Sequence, residues 1–146
     1  MKIFNLSYND KERFKEVYAI TGKPYGFFKS IGTGGTGSPP LKIYDAPDEV
    51  MNIIRQNVDK KYTNIEILRD GILIRFKSRL ENYGVPVNQS EITAIRFIPH
   101  HGKDFTSILE IVLADGKVFK FSVHKHEMAG LVKFFSKSIF TGKFNS

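Results

Sequence analysis

The chemistry that this sequence supports best is the binding of anions by basic side chains. Arg75, Lys77 and Arg79 alternate along one predicted strand, so they share a face at intervals of about 6.5–7 Å. Residues 117–146 carry six lysines but a single acidic residue. Such density attracts the phosphates of nucleic acid or acidic lipid headgroups; the alternative is a basic face that is merely solvated. The candidate anion-binding residues are Arg75, Lys77, Arg79, Lys120, Lys133 and Lys137.

Metal and acid–base chemistry are poorly marked. The four histidines lack a carboxylate at a metal-ligand spacing such as HExxH, so we interpret them as surface residues. Glu66 and Glu110 are predicted to face basic partners across a sheet. The acidic residues at predicted caps and turns are Asp10, Asp45, Asp48, Asp70 and Asp115. We therefore predict no catalytic residues, no metal and no cofactor, and a protein that is not an enzyme.

The glycine-rich segment at residues 32–40, GTGGTGSPP, is a weak candidate for a phosphate-binding loop. Such a loop needs a lysine after its last glycine and a helix that begins there. Here Gly37 is followed by Ser38 and two prolines, which forbid a helix start at that point. We predict a flexible connection instead.

Composition indicates one folded domain spanning residues 1–146. The 146 residues are 41% hydrophobic and include 13 Phe and 6 Tyr, which is ample for a packed interior, and the net charge is +7. The absence of cysteine excludes disulfides and thiolate chemistry and fits a reducing compartment. No segment has the length of a signal peptide core or the roughly 20 apolar residues of a membrane span. A cytoplasmic protein with no transmembrane segment is expected.

Residues 1–60 read as an irregular α/β segment. A short strand is predicted at 1–6, followed by a helix over about 10–21. Asn9 and Glu12 have the spacing of a capping box, and Gly22 is placed to end the helix. The predicted buried face of this helix consists of Phe14, Val17 and Tyr18.

Two further elements are predicted before the sheet begins. Residues 25–31 have the aromatic content of a strand. A second helix begins with Asp45 as the N-cap and Pro47 in its first turn, and ends near Asn57.

From residue 61 the pattern changes to a period of two, which predicts a β-meander. Asp70-Gly71 is predicted as a two-residue hairpin loop, which pairs Ile67 with Ile74 and Ile65 with Phe76, and sets Glu66 opposite Arg75. A strand over about 91–98 follows a turn region at 82–86. The last hairpin has a three-residue loop, Ala114-Asp115-Gly116, with Gly116 left-handed. Its predicted pairs are Ile111 with Phe119, Leu109 with Phe121 and Glu110 with Lys120.

The final predicted element is an amphipathic helix over about 126–140. Gly142 is placed to end it. Gly130 inside it indicates either that another backbone approaches the helix closely or that the helix simply tolerates a destabilising glycine. The predicted buried face consists of Met128, Leu131, Val132, Phe135 and Ile139.

A meander over about 62–123 followed directly by a helix resembles the pleckstrin-homology-like (PH-like) fold in its bacterial versions. The resemblance covers about residues 62–141 and rests on element order, with ITAI at 92–95 before a long hairpin and residues 117–123 before the helix. It implies an α+β protein, with an antiparallel meander sheet or partly open barrel capped by the C-terminal helix. Residues 1–31 supply further strands in this reading, or else contain the helix at 10–21. The resemblance implies no particular activity.

Two classes of function follow from these observations. The preferred hypothesis is a noncatalytic binding or assembly module that engages a protein partner, or itself, through a sheet edge or the helix flank. The alternative is a module that binds nucleic acid or an acidic membrane surface through its basic face.

Overall fold

The computed structural model describes residues 1–8, 10–26, 37–54 and 62–145. In these ranges the strands are β1 (Phe4–Asn5), β2 (Leu41–Asp45), β3 (Tyr62–Ile67), β4 (Gly71–Ser78), β5 (Glu81–Asn88), β6 (Ile92–Pro99), β7 (Ser107–Leu113), β8 (Val118–Val123) and β9 (Phe144–Asn145). The α-helices are α1 (Lys11–Thr21), α2 (Asp48–Ile54) and α3 (Met128–Phe135). Short 3-10 helices occupy Gln89–Glu91, Lys125–Glu127 and Ser138–Phe140. The class is α+β, as predicted.

These strands form one open sheet in the order β1-β5-β4-β3-β2-β8-β7-β6-β9. Neighbouring strands are antiparallel except for β6 and β9, which run parallel. Strand β2 pairs with β3 on one side and with β8 on the other. It therefore joins the meander β3-β4-β5 to the meander β6-β7-β8. The predicted antiparallel sheet and C-terminal helix are confirmed.

Strand β2 is absent from the sequence prediction, which placed a helix cap at its last residue. Asp45 is not that cap: its Oδ1 accepts a hydrogen bond from the N–H of Ala46 at 2.9 Å, and the helix begins at Asp48. Leu41 and Ile43 point into the core while the residues between and after them are exposed. This alternation is the sequence signal for a strand, and the prediction left residues 41–44 unassigned.

Strand β5 occupies the segment that was predicted to be a turn region, so that prediction is wrong. Gly84 and Pro86 are typical of turns, but here the glycine serves a close approach. A Cβ on Gly84 would lie 2.6 Å from Leu6 Cδ1 and 2.9 Å from Leu73 Cδ1. The two leucines pack across the backbone of β5 because no side chain stands there.

The predicted register of the first hairpin is wrong by two residues. Ile65 pairs with Ile74, and Ile67 with Ile72, so the turn is centred on Arg69-Asp70, one residue before the predicted Asp70-Gly71 loop. A shift of two residues keeps every side chain on its face, so the predicted buried isoleucines remain buried. Only their partners change.

The turn lies at this position because it docks on the end of α1. The N–H of Asp70 donates to the carbonyl of Thr21 at 2.7 Å, and the N–H of Arg69 donates to the carbonyl of Lys23 at 3.2 Å. The Leu68 side chain is 1% exposed. Contacts with a helix far away in sequence, which local turn preferences ignore, therefore set the register.

The second hairpin follows the prediction. Its observed pairs include Ile111 with Phe119, Leu109 with Phe121 and Glu110 with Lys120. Gly116 has φ 87°, the left-handed conformation that the three-residue loop requires. The alternating pattern of the two strands was therefore sufficient to predict the register.

Helix α1 covers part of the sheet's outer face. Asp10 rather than Asn9 is the N-cap, since its side chain accepts from the N–H of Glu12 at 3.0 Å; Asn9 itself lies outside the described residues. Gly22, with φ 74°, ends the helix as predicted. The predicted face is also confirmed. Val17 is buried with Leu6, Leu68 and Leu73 in a second core, and Phe14 and Tyr18 pack against it.

The C-terminal helix is shorter and more broken than predicted. At its end Ser136 Oγ donates to the carbonyl of Val132 at 2.6 Å, and Lys137 is extended, with ψ 155°. The chain direction therefore changes before the final 3-10 helix. The buried side chains are Leu131, Phe134, Phe135, Ile139 and Phe140, whereas Val132 and Met128 are only partly buried.

Several predictions for the N-terminal third can be compared only in part. The strand at 1–6 and the helix at 10–21 are present, so the additional strands of the sheet come from 41–45 and 81–88. Residues 25 and 26 are not in a strand. The rest of the predicted 25–31 strand, most of the glycine-rich segment and the predicted end of the second helix near Asn57 lie outside the described residues.

An ion pair fastens α2 to the second hairpin. Lys117 Nζ lies 2.9 Å from Glu49 Oε1. The hydrogen bond to Lys117 and the charge of that lysine lower the pKa of the Glu49 carboxyl, and the same contact raises the pKa of Lys117. A carboxyl with a lowered folded-state pKa adds stability above its unfolded-state pKa, and that contribution disappears as pH falls through the folded-state value.

We expect NMR titration of the Glu49 carboxyl to give a pKa below the ordinary range. In Lys117→Gln the pKa should return to that range because the charged hydrogen-bond donor is gone. Lys125→Gln, which removes an exposed lysine from the 3-10 helix that follows β8, is the control. Equal Glu49 pKa values in the parent and Lys117→Gln would show that the ion pair does not form.

Candidate functional site

A groove of about 430 Å³ lies on the outer face of β3, β4 and β5, turned away from the main core. Helix α1 covers the end of this face near Leu73 and leaves the end with Arg75 and Lys77 open. Leu6 and Pro40 provide apolar parts of the lining. The polar residues of the outer face in the lining are Ser38, Tyr62, Asn64, Arg75, Lys77 and Asn82, and Thr63, Phe76 and Tyr83, which belong to the inner face, also contribute to it.

The period of two in β4 places Arg75 and Lys77 together in the groove. Arg75 donates from Nε and Nη2 to the same carboxylate oxygen of Glu66, at 3.0 and 2.9 Å. The predicted ion pair is thus confirmed, although Asn64 rather than Glu66 is directly opposite Arg75. The contact uses two of the five guanidinium donors and leaves the others for a ligand.

Lys77 is the uncompensated charge of the groove. Its side chain is exposed, and within the described ranges this side chain makes no ion pair or hydrogen bond. Asn82 is its partner in register on β5. Because a neutral amide neighbours it there, Lys77 is available to an anion.

Two groove-side residues were missed by sequence reasoning. Tyr62 is 58% exposed and lines the groove, and Lys42 on β2 lies opposite it in register. The alternation of LKIYD over β2 is the signal that could have found Lys42. Tyr62 was missed because the predicted pattern of its strand used only Ile65, Glu66 and Ile67.

The other predicted basic residues are placed elsewhere. Strand β4 ends at Ser78, and Arg79 follows it in a tight turn with φ 57°, so the prediction that three basic residues alternate along the strand is wrong for Arg79. Lys120 Nζ lies 3.6 Å from Glu110, which also binds Arg96 at 2.8 Å. Glu110 is buried between these two cations, rather than exposed as predicted.

Lys133 and Lys137 accompany the C-terminal helix, whose apolar face packs on the opposite side of the sheet. Lys137 Nζ stands 4.8 Å from the ring centroid of Phe134. Burial, and then the charge of Lys133, lowers the pKa of Lys137. Neither lysine lines the groove, so the six predicted residues do not form one site.

Three rings cluster beside β2 at the hairpin between β6 and β7. His100 and Phe105 stack with centroids 4.3 Å apart, and Tyr44 meets both edge-on at 5.9 and 5.6 Å. Among the described residues there is no group of three or more histidine, aspartate or glutamate side chains that could hold a metal ion. Nor does any described helix have the length and apolar character needed to traverse a bilayer.

Short strands occupy both sheet edges. Strand β1 pairs with β5 over two residues, and β9 pairs with β6 over two residues. Pro86 in β5 and Pro99 in β6 also lack the N–H that an added strand would need. The edges therefore present few hydrogen-bonding groups in a continuous row.

Neither the protein-family models nor the curated proteins include one that matches this chain. Function is therefore inferred from the chemistry of the groove and of the surface around it.

Proposed function

We propose that this chain is a noncatalytic binding module with a PH-like fold, and that its ligand is an anion bound in the outer-face groove. The observation that carries the proposal is Lys77, an exposed cation without a partner among the described residues, beside Arg75 in a concave polar surface. A volume of about 430 Å³ is within the usual range for small-ligand sites.

The PH-like part of the proposal is supported by the order of elements. Seven strands, β2 to β8, are followed by the helix α3. Strands that are consecutive in the chain pair with each other and are antiparallel, except that β5 and β6 are not neighbours in the sheet. Strand β2 joins the two meanders, and α3 packs into the main core with the inner-face side chains of both. This arrangement matches a sheet that a C-terminal helix covers at one opening.

Self-association or capture of a partner strand is the less favoured proposal. Two-residue strands and prolines interrupt both edges, so an incoming strand would find few continuous hydrogen-bonding partners. The groove, in contrast, offers a charged surface to which an anion can bind without any change in the pairing of the strands. Anion binding is thus better supported than strand addition.

We expect isothermal titration calorimetry at low salt to show binding of inorganic polyphosphate. Lys77→Gln should weaken it about 10- to 150-fold, because a hydrogen bond to a charged group contributes about 1.5–3 kcal/mol. The salt dependence should also become shallower, since one cation–phosphate contact is lost.

Lys133→Gln is the matched control, because it removes the same charge from an exposed helical position outside the groove. It should change the affinity by less than about twofold if the contact is local. An equal loss in both variants, or no binding by the parent, contradicts the proposal. Concentration-dependent self-association of a parent that does not bind polyphosphate would favour the assembly function instead.

A further inference from the structure

Exposed tyrosines and lysines alternate on the outer face of β2, β3 and β4. Tyr44 is 47% exposed and Tyr62 is 58% exposed, whereas most large hydrophobic side chains of the described ranges are buried or partly buried. Lys42 lies opposite Tyr62, and Lys77 lines the groove beside it. We call these four residues, Tyr44, Lys42, Tyr62 and Lys77, the tyrosine–lysine stripe.

The backbone places the stripe residues within reach of one ligand. Lys42 and Tyr44 are two residues apart in β2 and both are exposed, and the register of β2 with β8 shifts between Ile43 and Asp45. Directly opposite residues such as Lys42 and Tyr62 have Cβ atoms about 4.5–5.5 Å apart. One extended ligand can therefore contact both rings and the lysine between them.

The charge and the ring positions both indicate what that ligand is. The stripe carries two cations, Lys42 and Lys77, and Asp45 beside Tyr44 accepts a hydrogen bond from the N–H of Ala46. The Tyr44 ring is held by His100 and Phe105 while it remains exposed. A ring that is already positioned loses little conformational entropy when a flat group stacks on it.

We propose that the tyrosine–lysine stripe binds single-stranded nucleic acid, with bases stacked on Tyr44 and Tyr62 and phosphates contacting Lys42 and Lys77. This inference rests on the proposed anion-binding function and adds the class of ligand. Aromatic rings contact the faces of bases, and those faces are hidden inside a duplex. A sheet surface with rings between cations therefore fits an unpaired strand, of DNA or RNA, rather than a double helix.

The test is fluorescence anisotropy at low salt with labelled twelve-residue oligothymidine, oligouridine and a DNA duplex of equal length. The parent should bind both single strands more tightly than the duplex. Tyr62→Leu and Tyr44→Leu should each weaken single-strand binding about 5- to 100-fold, because each stacked base is lost. Tyr62→Phe should retain binding within about twofold, since the ring is kept. A tighter complex with oligouridine than with oligothymidine would identify RNA as the source.

Controls separate this proposal from the broader one. Tyr8→Leu removes an exposed tyrosine outside the stripe and should leave the affinity unchanged. Polyphosphate binding that depends on Lys77, together with oligonucleotide binding that is insensitive to both tyrosines, would overturn the nucleic-acid proposal and leave the anion function standing. If the parent bound neither polyphosphate nor the oligonucleotides, the anion-binding proposal and the nucleic-acid proposal would both be overturned. Tyrosine-dependent binding to phosphatidylserine vesicles, without binding to the oligonucleotides, would overturn the nucleic-acid proposal and indicate a lipid surface as the ligand.

Discussion

Replacing Phe135 with alanine is expected to lower the free energy of unfolding by about 3–5 kcal/mol. Phe135 is fully buried, and its ring lies 5.0 to 5.8 Å from the ring centroids of Phe134, Phe140 and Phe144. Truncation leaves a cavity where α3, the final 3-10 helix and β9 meet. Thermal and urea unfolding followed by circular dichroism should show a melting temperature lower by roughly 6–20 °C.

Leu80→Ala is the control for this truncation. Leu80 is 96% exposed, so removing its side chain should change stability by no more than about 0.5 kcal/mol. If Phe135→Ala melted within a degree or two of the parent, the C-terminal helix would be peripheral to the core. That result would also remove a main support of the PH-like proposal.

The second large effect is expected from Gly71→Ala, at the start of β4. A Cβ at this position would lie 2.1 Å from the Val87 carbonyl oxygen and 3.0 Å from the Asn88 Cα. Both atoms belong to the backbone of β5, which cannot rotate away as a side chain can. The two strands must separate locally, so we expect a loss of about 1–3 kcal/mol or more, measured by urea unfolding.

Gly130→Ala is the matched control, and stability should change in the opposite direction. Among the described residues outside the helix's own backbone, a Cβ at Gly130 would have only Pro39 Cγ within 4 Å, at 3.8 Å, which is an ordinary contact, and the residue lies within α3. The sequence left two explanations for Gly130: another backbone passes close to it, or the helix contains a residue of low helix propensity without a structural need for it. The structure favours the second explanation. Alanine should therefore stabilise the protein by about 0.5–1 kcal/mol. A stable Gly71→Ala protein would show that β4 and β5 are not in close contact there.

Only part of the candidate site could be predicted from the sequence. The pairing of Arg75 with Glu66 and the exposure of Lys77 follow from the period of two along β4. The groove itself does not, because residues 38 and 40, Leu6 and three strands form it together. The inclusion of Arg79, Lys120, Lys133 and Lys137 rested on charge density alone, which does not specify a position in space.

The sequence by itself determined those elements whose signals are local. The second hairpin, with Gly116 in its loop, and the apolar face of α1 depend on periodicity and on residues that are neighbours in the chain. These local preferences also act in the unfolded chain, so the elements that they favour do not depend on contacts with residues distant in sequence.

Tertiary structure decided whatever required two distant segments to meet. The register of the first hairpin follows from the docking of Asp70 on Thr21, and β5 forms through a turn-like sequence because Leu6 and Leu73 pack across Gly84. The chain bends at Lys137, between α3 and the final 3-10 helix. This bend determines which side chains of the two helices are buried. In each case buried contacts and hydrogen bonds between remote residues outweigh local preferences, which amount to only about 1 kcal/mol per residue.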